Sequence, residues 1–324
     1  MSDTDDRLDQ GTERRAIVLG GGGVAGIAWE TGLLTGLLQH GIDLQGADVV
    51  VGTSAGSVVG VGLRAGSLDA TYAALVADDA AAGATDDAAV ADAAAAADAA
   101  AADADGRPVV DPAPDGAEDR DLSRTMKVIM AGVASTEGEA AARRTIGEFA
   151  REDYQRSDDA ASRARIAPLL PEEGWPAGEL RITAVDAESG HFTVFDRDSD
   201  ADLTSAVAAS CAVPGVFKPI TIDGHVYMDG GMRSATNADV AADCTRILVI
   251  ACSPEPPVSG MGPTLPGVVD TLRGTSEVLV VEADDESTEA FGANPLLMHT
   301  RRASAEAGRR QADLVADDVR AFWG

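Results

Sequence analysis

The sequence predicts an α/β fold in which a parallel sheet carries helices on both faces. Three observations carry that reading. Two short β-branched runs near the start each end in a glycine-rich turn and lead into a helical stretch. Strand-like runs return after residue 180, again interleaved with small-residue helical segments. The chain of 324 residues, 45% hydrophobic, is long enough to bury a full core, yet no apolar run reaches the roughly 18–20 residues of a membrane span.

Taken in order, Arg15–Leu19 (RAIVL) is a buried strand running into four glycines. Residues 25–40 form a helix with Leu33, Leu34, Leu37 and Leu38 on one stripe, stopped at Gly41. Residues 48–51 (DVVV) are a second strand, followed by Gly52-Thr53-Ser54-Ala55-Gly56 and a small-residue helix to about residue 64. Residues 69–121 break the pattern with fourteen Asp or Glu against two Arg, and 88–104 is almost pure Ala and Asp. A helix without large apolar side chains has nothing to bury, so this stretch is expected to be a solvated insertion; a lid over a site is the alternative. Helices are expected at 122–134, 137–155 and 160–170. Strands are expected at 180–186 and 191–195, a small-residue helix at 203–211, and a hairpin of Ile220–Ile222 and His225–Asp229 turning at Asp223-Gly224. Residues 246–252 are one more buried strand, and Arg301–Trp323 is a charged amphipathic helix. With no internal repeat and no linker, residues 14–324 read as one domain behind an acidic, disordered tail at 1–13.

Charge narrows the function classes. Asp and Glu number 54 against 25 Lys and Arg, a formal net charge of −29. Phosphate backbones are held by clustered positive charge, so nucleic acid is excluded as a partner. All basic residues except Lys127 and Lys218 are arginine. Many acids with almost no lysine suit molar salt, where the Debye length falls to about 3 Å; a GC-rich genome with an acidic insert gives the same composition. The polar, acidic N-terminus is unlike a secretory signal. Cys211, Cys244 and Cys252 are odd in number and lack C-x-x-C spacing, which argues against a disulfide framework or structural zinc. A cytoplasmic setting with no metal or cofactor is expected.

Gly52-Thr53-Ser54-Ala55-Gly56 fits G-x-S-x-G between a strand and a helix, where a strained turn exposes a nucleophilic serine and Gly52 and Gly56 let neighbouring backbone approach. Gly21, Gly23 and Gly26 fit the dinucleotide fingerprint G-x-G-x-x-G, but the second strand ends without the carboxylate that holds a ribose. The free amides of this loop then face either an oxyanion or, in the rival reading, a nucleotide bound without hydrolysis. A serine needs a base. His40, His191, His225 and His299 sit in unremarkable settings, His299 being the most plausible partner in a His-dependent α/β-hydrolase. Asp229, ending a strand before Gly230-Gly231, is the better candidate.

Glycine loop, serine elbow and Asp-Gly-Gly in this order resemble the patatin-like phospholipases. Residues 208–231 (AASCAVPGVFKPITIDGHVYMDGG) strengthen the resemblance, with Ala209-Ser210 followed by Pro214, Phe217 and Pro219 before the aspartate. The resemblance spans roughly residues 15–66 and 180–252. It implies a three-layer α/β/α sandwich and a Ser–Asp dyad without histidine. Ser54 matches the nucleophile, Asp229 the general base, and Gly21, Gly22 and Gly23 the oxyanion loop. It further implies hydrolysis of lipid or other ester substrates, with transient contact at a membrane surface. Where the family's G-G-G-x-[K/R]-G carries a basic residue, this chain has Ala25.

Overall fold

The computed structural model describes residues 13–77, 122–133, 137–152, 154–171, 174–255 and 259–324. Residues 1–12 of the expected acidic tail and most of the expected insertion, residues 78–121, lie outside the described residues, while Glu13 pairs with Arg246 at 3.0 Å. The insertion boundary expected at 69 falls inside a helix, because Leu68–Val76 packs against the first and last helices of the chain. Leu68 supplies the buried anchor there.

The strands are β1 (Arg15–Leu19), β2 (Val49–Gly52), β3 (Glu179–Asp186), β4 (Phe192–Phe195), β5 (Ile220–Ile222), β6 (His225–Asp229), β7 (Arg246–Ala251) and β8 (Glu277–Glu282). The helices are α1 (Gly23–Gln39), α2 (Ala55–Ala65), α3 (Leu68–Val76), α4 (Leu122–Val133), α5 (Glu139–Ala150), α6 (Asp158–Ile166), α7 (Leu203–Ser210), α8 (Leu265–Leu272), α9 (Asp285–Phe291) and α10 (Arg301–Trp323). They build one eight-stranded sheet in the order β5-β6-β3-β2-β1-β7-β8, with β4 paired to β3 beside this path. β3, β2, β1, β7 and β8 run parallel; β4, β5 and β6 join antiparallel.

Alternation along the strands divides the core into two layers, since successive side chains point to opposite faces. Ile17, Leu19, Val50, Leu180, Ile182, Leu248 and Ile250 join Trp29, Leu33, Leu37 and Val61 of α1 and α2 on one face. Ala16, Val18, Val49, Val51, Ile247 and Val249 meet Leu265, Val268, Val269 and Leu272 of α8 on the other. Val185 and Met228 continue that second face under Ile146 and Ala150 of α5. The result is the expected α/β/α sandwich.

Two features of this frame fix the geometry of a site. First, β3 is shared three ways. β4 pairs with Ile182–Val185 along one edge, so β2, paired at Glu179–Ile182, and β6, paired at Ala184–Asp186, follow one another along the opposite edge. Gly52 ends opposite Ile182 and Asp229 ends opposite Ala184. The carboxyl ends of β2 and β6 therefore converge. Second, α1 and α10 lie backbone to backbone. A Cβ on Gly32 would fall 2.1 Å from the Ala305 carbonyl oxygen, and one on Gly308 the same distance from that of Trp29. Among the described residues no helix is long and apolar enough to cross a membrane.

Candidate active site

Ser54 stands between β2 and α2 at φ 51°, ψ −115°, a conformation that costs a non-glycine residue on the order of 1–3 kcal/mol. The neighbourhood holds it there. A Cβ on Gly52 would lie 2.6 Å from the Gly56 carbonyl oxygen, and one on Gly56 2.2 Å from that of Leu19, so the turn closes only with glycine at both positions. The Ser54 amide donates to Ser210 Oγ at 2.8 Å, while its carbonyl accepts from Ser57 Oγ at 2.6 Å and from Cys211 Sγ at 3.4 Å. Ser210 and Cys211 come from the end of α7, which gives the 208–231 segment a physical role: its small polar residues satisfy the backbone of the strained serine.

Asp229 is 2% exposed. Its Oδ1 accepts the Gly231 amide at 2.7 Å, and its buried Oδ2 has no hydrogen-bond partner among the described residues. Burial pushes the carboxyl up to about 6; the Gly231 amide, the neighbouring Ser54 hydroxyl and the Arg165 charge each pull against that rise. The serine is thus close enough to stabilise the carboxylate without an aligned hydrogen bond at rest, a looseness common in sites that tighten on substrate. Arg165 of α6, stacked 3.8 Å above the Phe217 ring, is a cation the sequence did not flag. Only the fold carries it from residue 165 into electrostatic reach of Asp229.

The glycine loop passes over the serine. A Cβ on Gly21 would touch the Ser54 Cβ at 3.4 Å. The Gly20 amide donates to the Ile250 carbonyl and the Gly21 amide to that of Ala235, which ties the loop down. Gly22 and Gly23 then stand at the start of α1, where backbone amides have no partner within the helix. Ala25, in place of a basic residue, is fully buried, and its amide donates to the Pro295 carbonyl at 2.9 Å. A strap at residues 293–297 accordingly braces the loop from outside. Beneath it, Glu30 is completely buried at 3.8 Å from Cys252 Sγ, and burial raises both groups well above their ordinary values.

The histidines are elsewhere. His40 pairs with Asp313, and His225 with Asp186 at the far end of β6 from Asp229. His191 and His299 are exposed. None hydrogen-bonds to Ser54 among the described residues. The three cysteines are free and buried, and no group of three metal-binding side chains occurs among the described residues.

The sequence matches the description Patatin-like phospholipase over residues 17–242, a stretch that contains the glycine loop, the elbow and Asp229. The chain belongs to the patatin-like phospholipase family. Solved structures similar to this patatin-like chain include VipD from Legionella pneumophila, at 12% identity over 94% of this chain and 67% of that one, with a TM-score of 0.43. They also include a structure of the type III effector protein ExoU and one, from Pseudomonas aeruginosa, of full-length ExoU in complex with SpcU. The first of these gives 15% identity, 94% and 53% coverage, and a TM-score of 0.34. The chain thus spans about half the length of ExoU. Its own last helix, α10, lies beyond the stretch that defines the patatin-like family, yet packs along α1 behind the glycine loop.

Proposed function

We propose that this chain is a lipid acyl hydrolase that cleaves carboxylic esters with a Ser54–Asp229 dyad. The observation that carries the reading is the convergence, at adjoining strand ends, of a strained serine and a buried carboxylate whose Oδ2 has no hydrogen-bond partner among the described residues. Ser54 Oγ attacks the ester carbonyl carbon as its proton passes to Asp229. The carbonyl oxygen becomes an oxyanion facing the glycine loop. Gly22 and Gly23 supply the amide donors, with Gly21 forming the wall, and one such donor is typically worth about 3–4 kcal/mol. Asp229 then returns the proton to the leaving alkoxide. Water, deprotonated by the same carboxylate, attacks the acyl-serine; the acyl–Oγ bond breaks, Asp229 returns the proton to Ser54 Oγ, and the fatty acid leaves.

A carboxyl held near 6 suits this role, being ionised at neutral pH yet basic enough to accept a proton. Pro295, Leu296 and Leu297 are half-buried beside the loop and Met298 is exposed, an apolar margin that fits an acyl chain entering from a lipid surface. The test is a fluorophosphonate probe together with a panel of p-nitrophenyl esters and phospholipids. Labelling at Ser54, with hydrolysis abolished in Ser54→Ala, supports the reading; unlabelled protein, or a variant retaining more than a tenth of the activity, refutes it.

A further inference from the structure

Asn237, eight residues beyond Asp229, has no place in the chemistry above, yet it is completely buried and sits in the left-handed region at φ 49°. Its Nδ2 lies 3.1 Å from Thr53 Oγ1, 3.4 Å from Thr183 Oγ1, 3.2 Å from the Gly230 carbonyl and 2.8 Å from that of Ser234. The orientation of the amide is unambiguous. Arg233 can only donate, and its NH1 points at Asn237 Oδ1 at 2.8 Å, so the amino end must face the carbonyls. Arg233 is itself fixed by a forked pair to Asp239, at 3.0 and 2.7 Å, and lies 4.1 Å from the Phe192 ring.

Besides the Ser234 carbonyl in its own turn, the acceptors of this one amide adjoin the two halves of the dyad and the strand between them. Thr53 immediately precedes Ser54; Gly230 immediately follows Asp229; Thr183 lies on β3 between the rungs that hold them. Thr53 and Thr183 also share a hydroxyl bond of 2.8 Å. β2 and β6 do not pair with each other, so backbone bonding alone leaves their ends joined only through β3. We propose that Asn237 is a positioning residue for the hydrolytic reaction, its amide tying the serine elbow to the aspartate turn and so setting the distance over which the serine proton passes. This inference rests on the Ser54–Asp229 reading.

The experiment compares Asn237→Ala and Thr53→Val with Ser54→Ala and Asp229→Asn on one soluble ester, the rates of the first two normalised to probe-titrated serines and those of the last two to folded protein. The expected result for Asn237→Ala is a kcat at least about 10-fold lower with KM within about threefold. Its acid limb should also move to higher pH, because a serine that has drifted away no longer stabilises the carboxylate. Thr53→Val should move the same quantities in the same direction, and the double variant should be little worse than the worse single one. A merely structural role gives a lower melting temperature and fewer titratable sites, with unchanged kcat per site and an unchanged acid limb; that result overturns the inference. If Asn237→Ala does not fold, Thr53→Val decides, a wild-type kcat and limb counting against the tie. Activity surviving in Ser54→Ala or Asp229→Asn would instead bring down the dyad reading itself.

Discussion

In the proposed mechanism Asp229 couples activity to stability in opposite senses. Its folded pKa is raised from 3.8 to about 6, so its contribution is most favourable below pH 3.8 and is lost as pH rises through 6. At neutral pH the buried carboxylate therefore costs the fold up to about 3 kcal/mol. Asp229→Asn is expected to melt higher than wild type in urea at pH 8 and to match it near pH 4. The same substitution should lower kcat by at least about 10²-fold, in the range general-base catalysis contributes. In the wild type, kcat/KM should fall away below pH about 6; an acid limb that persists unchanged in a residually active Asp229→Asn would assign the titration to another group. Ser54→Ala should lose hydrolysis and keep its circular dichroism spectrum. His299→Ala should keep kcat/KM within a few-fold, since that ring is exposed and makes no bond to Ser54.

Among the elements, the pairing of α1 with α10 makes the sharpest demand on the sequence. Gly308→Ala places a methyl against the Trp29 carbonyl and should destabilise the fold by about 1–3 kcal/mol, read as a lower urea midpoint at unchanged slope. That contact was not legible beforehand, because small residues at Gly32, Gly36, Ala305, Gly308 and Ala312 read as a weak helix face until a partner is known. Much else was legible. β1, the β5–β6 hairpin and α10 have the expected bounds, since β-branched runs and the Asp223-Gly224 turn are local signals. The serine elbow and Asp229 were legible as motifs. β8 is absent from the sequence reading although Val278-Leu279-Val280-Val281 is an ordinary buried-strand signal, while α8 is short with Pro266 and Gly267 in its first turn and α9 is short and mostly polar. Asn237 and Arg165 could not be found from spacing, because their meaning comes from residues far away in the chain.

The whole molecule carries a net charge of −29, and some of that charge is organised. At the base of the sheet Arg14 pairs with Asp243 and Glu179, and Arg181 with the same two acids. Hydrogen bonds from Arg181 hold Asp243 down at about 2, against the opposing effect of burial. Such local networks weaken slightly in salt, but the far larger self-repulsion is relieved. The melting temperature is therefore expected to rise between low and molar KCl; a flat or falling trend would count against adaptation to salt. Deleting about residues 80–118, whose composition offers a core almost nothing, should leave ester hydrolysis intact, measured in matched salt. The fork at β3 bears on that last expectation. Ser54 and Asp229 are 175 residues apart in the chain, but two rungs of one strand set their meeting point. Sequence added or removed between α3 and α4 leaves that meeting point alone as long as β2, β6 and the Ser210 and Cys211 contacts to the serine keep their places. On the proposed mechanism, the length of chain joining α3 to α4 is free to vary without moving the two reacting groups apart.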